Sequence, residues 1–442
     1  MPINIFWFRR DLRLHDNHGL FRALEEGHPV LPIFIFDTEI LDHLPSNDDA
    51  RVTFIYDTIA TLKSVLQSHN SDLLVYNGKP IEIWKNLIDS FQIHHVYTNH
   101  DYESYAISRD ERVQSLLAQH NISFHTYKDH VIFEKKEIVK EDGNPYTVFT
   151  SYKNKWLKRW NEIHRSSIKH AGIFPFEMEN HFTKFYIVEK QDMPPLASLG
   201  FLRSEIKTPS THVASSLIKS YHENRDYPAK NGTSRLGIHF RFGTISIREK
   251  ALKASLLNDT FLNELIWRDF YVMILYNFPH VEKGAFRPEY DQILWRNDEN
   301  EFQSWCEGKT GYPLVDAGMR ELKATGFMHN RVRMVTASFL TKHLLIDWRW
   351  GEIWFANHLL DFDLASNNGG WQWAAGCGTD AAPYFRIFNP SAQAAKFDNA
   401  AIYIKKWVPE YGTNSYPTPI VDHKQARQRC LETYKEALNR KV

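Results

Sequence analysis

The first 130 residues of this 442-residue chain alternate short apolar runs with longer segments of helical periodicity, which constrains the fold more than any other feature. The apolar runs span residues 3–8, 30–36, 73–76, 95–98 and 122–127, and the helical segments include residues 50–68, 81–91 and 105–120. Such alternation predicts an α/β domain at residues 1–130, with a five-stranded parallel sheet covered by helices on both faces. The turn after the first run lacks the glycine-rich fingerprint of dinucleotide sites.

The remainder of the chain follows a different pattern. Residues 131–198 are irregular, charged and interrupted by prolines, so we expect an interdomain connector with a few short helices. In residues 199–442 apolar side chains recur at three- and four-residue spacing, as in segments 262–276, 315–325, 330–343 and 348–360. This spacing predicts an all-helical second domain.

Charge and cysteine usage narrow the class of protein. Residues 1–200 hold 22 Lys and Arg against 27 Asp and Glu, whereas residues 201–442 hold 31 against 26, so the helical part is the better partner for a polyanion. The three cysteines give neither a disulfide framework nor a metal-ligand spacing, so we expect no metal, and we assign His94 and His95 a structural role. No apolar stretch reaches about 18 residues and the start is unlike a signal peptide, which predicts a soluble protein without a membrane partner.

Residues 367–373, Asn-Asn-Gly-Gly-Trp-Gln-Trp, carry the most information about function. Two glycines between amides and indoles would let the backbone approach a flat ligand. Asp361 and Asp363 come just before, and their carboxylates could accept hydrogen bonds from the N–H groups of a ring edge. A helix end capped by Asn and Gly, with tryptophans packed inside, explains the same residues equally well.

A second segment places four unlike side chains on one helical stripe. Glu264, Trp267, Arg268 and Tyr271 are spaced i, i+3, i+4 and i+7. A carboxylate, an indole, a guanidinium and a phenol together suit a ligand cavity better than a dry core. The alternative is an amphipathic surface helix with an internal Glu–Arg pair.

Two weaker signals lie on either side of that stripe. Asn330 and Met334 share a helical face and could cradle a polar, flat ligand, although Met at this spacing is more often core filler. Residues 232–237, Gly-Thr-Ser-Arg-Leu-Gly, offer small side chains, hydroxyls and an arginine before a helix. They suit an anion cradle or an ordinary capped helix start.

Several blocks, in the same order along nearly the whole chain, resemble the photolyase/cryptochrome flavoproteins. They are residues 6–17, Phe-Trp-Phe-Arg-Arg-Asp-Leu-Arg-Leu-His-Asp-Asn, and the segments 232–237, 263–271, 318–340 and 360–389. The chain is most similar to bacterial cyclobutane pyrimidine dimer photolyases of the class I type. The resemblance implies a Rossmann-like antenna domain, a helical FAD- and DNA-binding domain, and a monomeric carbon–carbon lyase of the bacterial cytoplasm. It would repair pyrimidine dimers in DNA by electron transfer from photoexcited reduced FAD.

The resemblance also implies a set of flavin-related residues. Asp361 and Asp363 would face the isoalloxazine edge, with Arg333 as the ion-pair partner of Asp361, and Asn367 would sit at the flavin N5. The cofactor set as a whole comprises Tyr221, Thr233, Ser234, Arg235, Leu236, Gly237, Arg333, Asp361, Phe362, Asp363 and Asn367. An electron-transfer chain from the surface to the flavin would comprise Trp371, Trp348 and Trp295.

A further set would bind the lesion and the DNA. Glu264 would hydrogen-bond the damaged bases and stabilise their radical anion, with a pKa raised by burial. Trp267 and Trp373 would stack against the dimer, which the family flips out of the duplex. The set comprises Arg225, Glu264, Trp267, Arg268, Tyr271, Asn330, Arg331, Trp373 and Gln393, and the catalytic residues would be Glu264, Asn330, Met334 and Asn367. The arginines that contact DNA would act through backbone phosphates.

The branch of the family follows from four of these positions. Photolyases for the (6-4) photoproduct carry histidines where this chain has Asn330 and Met334, and plant-type cryptochromes tend to replace the counterparts of Asn367 and Trp373. The cyclobutane dimer is therefore the favoured substrate, and a cryptochrome-like blue-light receptor with little or no repair is the alternative. Residues 105–106, Tyr-Ala, stand where folate-binding members have Asn-Glu. The second chromophore stays open among folate, deazaflavin, a flavin and none.

Overall fold

The computed structural model describes residues 1–166 and 172–439. Within these ranges the chain forms two compact units, each assembled from separate stretches. Unit 1 comprises residues 1–137, 157–166, 172–211 and 236–255, and unit 2 comprises residues 138–156, 212–235 and 256–439. No helix in the described part of the chain is both long and apolar enough to cross a membrane.

Unit 1 is organised around the predicted parallel five-stranded sheet. Its strands are β1 (Ile3–Phe8), β2 (Val30–Asp37), β3 (Leu74–Gly78), β4 (Ile93–Asn99) and β5 (Ser123–Tyr127). The order is β3-β2-β1-β4-β5, and Ile5 pairs with Leu31 on one side and Val96 on the other. Every residue of β1 and β2 is buried, which explains why both runs are almost continuously apolar.

Five helices connect these strands: α1 (His18–Glu25), α2 (Thr38–Leu41), α3 (Ala50–Ser68), α4 (Pro80–Ser90) and α5 (Ser104–Gln119). Three of them begin where a side chain accepts a hydrogen bond from the first turn. The caps are Asn17 for α1, Asp37 for α2 and Asp49 for α3. The predicted bounds of the 50–68 helix are confirmed.

The segment expected to be a connector with a few short helices contains an 18-residue helix, α6 (Phe149–Ser166). The side chains of Tyr152, Trp156, Trp160 and Ile163 are all buried. Their spacing of four, four and three residues places them on one face, and burial of this face stabilises the helix despite its charged surroundings. Among the described residues of this segment, the 3₁₀ helices Glu179–Lys184 and Leu196–Leu199 match the expected short elements.

In the second half of the chain the regular elements of the described residues are all helices, as predicted. The helices are α7 (Ser215–Lys219), α8 (Tyr221–Asn224), α9 (Gly237–Phe242), α10 (Ile247–Leu257), α11 (Asp259–Asn277), α12 (Glu299–Glu307), α13 (Pro313–Thr325), α14 (Asn330–Ser338), α15 (Trp348–His358), α16 (Leu364–Ala375), α17 (Pro390–Phe397), α18 (Ile402–Trp407) and α19 (His423–Asn439). Short 3₁₀ turns occupy Pro279–Glu282 and Pro288–Gln292. Helix α9 and most of α10 belong to unit 1.

Helix α16 organises unit 2, because it packs against α11, α14 and α15. The helix predicted over residues 330–343 is shorter than expected: α14 ends at Ser338 and the chain continues as a π-helix, Phe339–Leu344. In this turn the buried Lys342 donates a hydrogen bond to the Ala375 carbonyl oxygen at 2.7 Å. The interaction ties the π-helix to the end of α16.

Candidate active site

A cavity of about 390 Å³ in unit 2 brings together most of the residues predicted from the sequence. Its lining includes Arg225, Glu264, Trp267, Arg268, Tyr271, Asn330, Arg333, Met334, Asp361, Phe362, Asp363, Asn367, Trp371 and Trp373. Ala337, Phe355 and Leu359 supply apolar wall that was not predicted. The cavity is thus lined by both polar and apolar side chains.

Helix α11 presents the four-residue stripe to this cavity. The helix begins at a fixed point because the Asn258 side chain accepts a hydrogen bond from the Phe261 backbone N–H at 3.0 Å. The indole of Trp267 stacks on Phe149, with ring centroids 3.6 Å apart and planes only 6° from parallel. This contact holds Trp267 in one orientation beside the other residues of the stripe.

Glu264 forms an ion pair with Arg225, whose Nη1 donates to Oε1. Burial raises the pKa of the Glu264 carboxyl, while the Arg225 guanidinium acts in the opposite direction. The predicted direction of the shift is therefore confirmed. The ion pair was not predicted, because 39 residues separate its members.

Helix α14 positions Asn330 and Met334. Its cap is His329, whose Nδ1 accepts a hydrogen bond from the Arg331 backbone N–H at 3.2 Å. Burial lowers the pKa of His329 to about 4, so the imidazole is neutral at pH 7 and can accept. The amide nitrogen of Asn330 lies 4.0 Å from the Met334 sulfur, and both side chains line the cavity.

Helix α16 and the turn before it supply the acidic edge. The predicted ion pair is confirmed: Arg333 Nη2 lies 3.0 Å from each carboxylate oxygen of Asp361. Asp363 caps α16 by accepting a hydrogen bond from the Ser366 N–H at 3.2 Å. One turn later Asn367 donates its amide hydrogens to Glu352 Oε1 at 2.9 Å and to the Glu352 carbonyl oxygen at 3.1 Å.

Glu352, on α15, was missed by the sequence reasoning. Because Glu352 accepts the hydrogen bonds from the Asn367 amide nitrogen, the Asn367 oxygen is the atom that can face a ligand. The sequence held no signal for this contact, since two helices must pack before residues 352 and 367 meet. Burial raises the pKa of the Glu352 carboxyl, and the hydrogen bond from Asn367 opposes that rise.

The two glycines of the 367–373 segment have different surroundings. A Cβ at position 369 would overlap the Tyr271 ring, with three of its atoms within 2.9 Å, so Gly369 allows α16 to approach α11. A Cβ at position 370 would meet nothing within 4 Å, and Gly370 lines the cavity. Only Gly370 therefore has the open approach expected of both.

The three tryptophans of the expected electron-transfer chain share one hydrophobic core. Trp371 and Trp348 are both 2% exposed, and Trp295 packs against the same core. Trp371 also lines the cavity, and its Nε1 has no hydrogen-bond partner in the described part of the chain. Trp295 makes an edge-on contact with Tyr434, with centroids 6.0 Å apart.

Several predicted cofactor residues lie outside the cavity lining. Tyr221 packs edge-on against Phe261, 5.1 Å away, and the Arg235 guanidinium lies 4.4 Å from the Phe327 ring centroid. Thr233 and Ser234 precede Arg235 in the same loop. Leu236 and Gly237 stand at the start of α9, in unit 1. Their roles toward FAD remain predictions.

Two predicted DNA-contacting residues also lie outside the lining. Arg331 pairs with Asp226 at 2.8 Å, and its Nη1 is 3.9 Å from the Met334 sulfur. Gln393 lies in α17, and its Oε1 is buried without a hydrogen-bond partner among the described residues. The contacts of both residues with DNA stay predictions.

The cavity suits a flat heteroaromatic group with a polar rim. Carboxylates, a guanidinium and an amide converge on it at Asp361, Asp363, Arg333 and Asn367, and aromatic and aliphatic side chains supply much of the remaining wall. The open space at Gly370 allows a ring to lie against the backbone. These features fit the isoalloxazine of a flavin.

The comparisons with known proteins agree with this chemistry. Residues 4–169 match the model of the DNA photolyase family, and residues 261–413 match that of the FAD binding domain of DNA photolyase. The deoxyribodipyrimidine photo-lyase of Halobacterium salinarum is 36% identical, over 98% of this chain and 99% of its own.

Two solved structures have the same fold. A class III photolyase from Agrobacterium tumefaciens superposes with a TM-score of 0.85 at 31% identity, covering 99% of this chain and 98% of that one. An archaeal photolyase from Sulfolobus tokodaii, solved with two FAD molecules, gives 0.83 at 35% identity and covers 98% and 99%. With whole-chain identity above 30% and an FAD-binding domain around this cavity, the chain belongs to the DNA photolyase family of FAD-dependent enzymes.

Proposed function

We propose that this enzyme repairs cyclobutane pyrimidine dimers in DNA with light, and that the cavity of unit 2 receives both the flavin ring and the flipped-out dimer. One observation carries the proposal. Asp361 and Asn367 of the cofactor set line the same cavity as Glu264, Asn330 and Trp373 of the lesion set. An electron donor and its acceptor can then lie in direct contact.

The chain's own residues would orient both groups. When bound, reduced FAD supplies a light-absorbing group that gives up and recovers one electron. Asp361, paired with Arg333, and Asp363 would hold the polar edge of the ring, and Asn367 would present its oxygen to a ring N–H. Trp267 and Trp373 would stack against the extruded bases, a contact worth about 1–3 kcal/mol per base.

Glu264 and Arg225 would respond together to DNA. A phosphate beside Arg225 competes with Glu264 for the guanidinium. Because Arg225 opposes the rise of the Glu264 pKa, its transfer to a phosphate raises that pKa further. The protonated carboxyl can then donate a hydrogen bond to a base carbonyl, where negative charge develops during repair.

The test is repair of a thymine-dimer oligonucleotide by chemically reduced protein under blue light, with a dark control. Recovery of the ultraviolet absorbance of the separated thymines is expected. Persistence of the dimer in the light would refute the repair proposal and favour the blue-light receptor. Binding that does not weaken as salt rises would contradict phosphate contacts by the arginines.

Glu264→Ala separates chemistry from binding. We expect a larger loss of repair yield than of affinity for the damaged oligonucleotide, since the carboxyl acts on charge that appears only during the reaction. Asp259→Asn, an exposed carboxyl on the same helix, is the control and should change neither. Equal losses of yield and affinity in Glu264→Ala would contradict the assigned role. Because its substrate would be DNA, the enzyme would act where the chromosome lies, and in a bacterium this compartment is the cytosol.

A further inference from the structure

Unit 1 contains a group of imidazoles at the start of β4 that the repair reaction does not use. Strand β1 pairs with β4 through Ile3 with Ile93 and then Asn4 with His95, so His94 is an extra residue in β4. In a regular strand His94 and His95 would point to opposite faces of the sheet. The irregularity turns them together, and their ring centroids are 3.9 Å apart.

A carboxylate completes the group. Glu26 follows α1, and its Oε1 lies 3.3 Å from His95 Nε2. Two ligands about 2.1 Å from a tetrahedral zinc ion are about 3.4 Å apart, so this pair already has the required separation. One ligand atom from each of Glu26, His94 and His95 lies within 4.8 Å of the other two. A small rotation of the His94 side chain would shorten these distances to those of a metal site.

The Glu26 carboxylate is held in place by two buried residues. Its second oxygen, Oε2, accepts hydrogen bonds from the Asn4 amide at 3.1 Å and from the Tyr97 hydroxyl. Asn4 is fully buried and Tyr97 is 3% exposed. Their donors occupy one oxygen and leave the other facing His95, as partners of a metal-binding carboxylate do.

The surroundings are rich in further imidazole nitrogen. The ring of His28 lies 4.2 Å from that of His94, and the ring of His125 lies 4.9 Å from that of His95. Buried nitrogens on His95 and His125 have no hydrogen-bond partner among the described residues. The side chains of His95 and Glu26 are 21% and 35% exposed, so an ion can enter from solvent.

We infer that Glu26, His94 and His95 form a site for a divalent first-row transition-metal ion of the Zn²⁺ type. Two imidazoles and one carboxylate are ligands that zinc prefers, whereas Mg²⁺ and Ca²⁺ prefer oxygen alone. The ion ties the turn after α1 to the first residues of β4. The site therefore stabilises unit 1 and takes no part in light-driven repair.

The test is calorimetric titration of untagged, chelator-treated, full-length protein with Zn²⁺. The wild type should bind one more equivalent of Zn²⁺ than His95→Ala does, and a titration with Mg²⁺ should show no such difference. Tyr97→Phe, which keeps all three ligands and loses one hydroxyl, should weaken this equivalent about tenfold or more. His120→Ala, an exposed histidine in the same unit, is the control and should bind as wild type does. Equal zinc binding by wild type and His95→Ala would overturn the inference and leave an ordinary Glu26–His95 ion pair.

Thermal unfolding gives a second readout if His95→Ala folds poorly. Zn²⁺ should raise the melting temperature of the wild type, because ligand that binds only the folded state stabilises it. His94→Gln, which alters a partly exposed side chain, should abolish that rise while keeping the metal-free melting temperature. An unchanged rise in His94→Gln would exclude His94 as a ligand and refute the site as stated.

Discussion

Alanine substitutions at two adjacent glycines should have opposite effects on stability. Both Gly369 and Gly370 lie within α16, and both changes add one methyl group. At position 370 the methyl enters open space beside the cavity, whereas at position 369 it meets the Tyr271 ring of α11. The pair therefore isolates the packing of α16 on α11 from the intrinsic preference of the helix for alanine.

The magnitudes follow from two terms. Alanine is favoured over glycine inside a helix by about 1 kcal/mol, and this gain applies to both variants. At position 369 three ring atoms would lie within 2.9 Å of the Cβ, well inside the ordinary carbon contact distance of about 3.5–4.0 Å. Overpacking of this kind costs about 1–3 kcal/mol. Gly370→Ala should thus be about 1 kcal/mol more stable than wild type, and Gly369→Ala about 1–3 kcal/mol less stable than Gly370→Ala.

Urea unfolding followed by tryptophan fluorescence measures this difference, with midpoints compared at equal slopes. Tyr271→Ala in the Gly369→Ala background should recover part of the loss, because it removes the overlapping ring. Gly369→Ala should also lower repair yield, since α11 and α16 carry facing parts of the cavity. Equal stability of the two glycine variants would refute the assignment of Gly369 to helix packing.

Three further outcomes test other parts of unit 2. Glu352→Leu removes the acceptor that orients Asn367 and should weaken the oxidised flavin's retention in dialysis, whereas Glu352→Gln, which keeps an acceptor oxygen, should change it less. Trp295→Phe should block the light-driven reduction of the flavin, measured by absorbance, yet spare repair by chemically reduced enzyme. Trp407→Phe is the control, and equal photoreduction rates in the two variants would mean that electrons take another route. Burial lowers the pKa of His343 to about 3, against about 6.5 when unfolded, so its stabilising contribution is complete above about pH 6.5 and is lost as pH falls toward 3. His343→Phe should flatten the fall of the urea midpoint between about pH 6.5 and 4, and an unchanged slope would contradict the buried neutral imidazole.

Regular elements could be predicted from the sequence wherever burial is periodic and the ends are capped. The 50–68 helix begins after Asp49, which caps it, and the fully buried β1 appears as an apolar run interrupted only by Asn4. Helix α6 was not predicted, because the prolines and charged residues of its segment mask the apolar face formed by Tyr152, Trp156, Trp160 and Ile163. The π-helix Phe339–Leu344 was missed for another reason, since a hydrogen-bonded turn that is one residue longer barely alters the apolar pattern over six residues.

The candidate site was predictable only in pieces. Helical spacing alone put Glu264, Trp267 and Tyr271 on one stripe, and the structure confirms that all three line the cavity. That α11, α14 and α16 converge was implied by family resemblance and by nothing in the local sequence. The contacts that fix the chemistry, Arg225 with Glu264 and Glu352 with Asn367, join separate helices and needed the structure.

The imidazole group of unit 1 shows why a metal-ligand search along the sequence finds nothing there. The two-residue period of a strand assigns His94 and His95 to opposite faces, and only the pairing of Asn4 with His95 rather than His94 brings them together. Glu26 is far from His95 in sequence. It contacts His95 because helix α1 ends close to the first residues of β4. Register between strands is a property of the whole sheet. A ligand set that depends on a register shift therefore has no characteristic spacing in the sequence, and metal binding must be measured to test it.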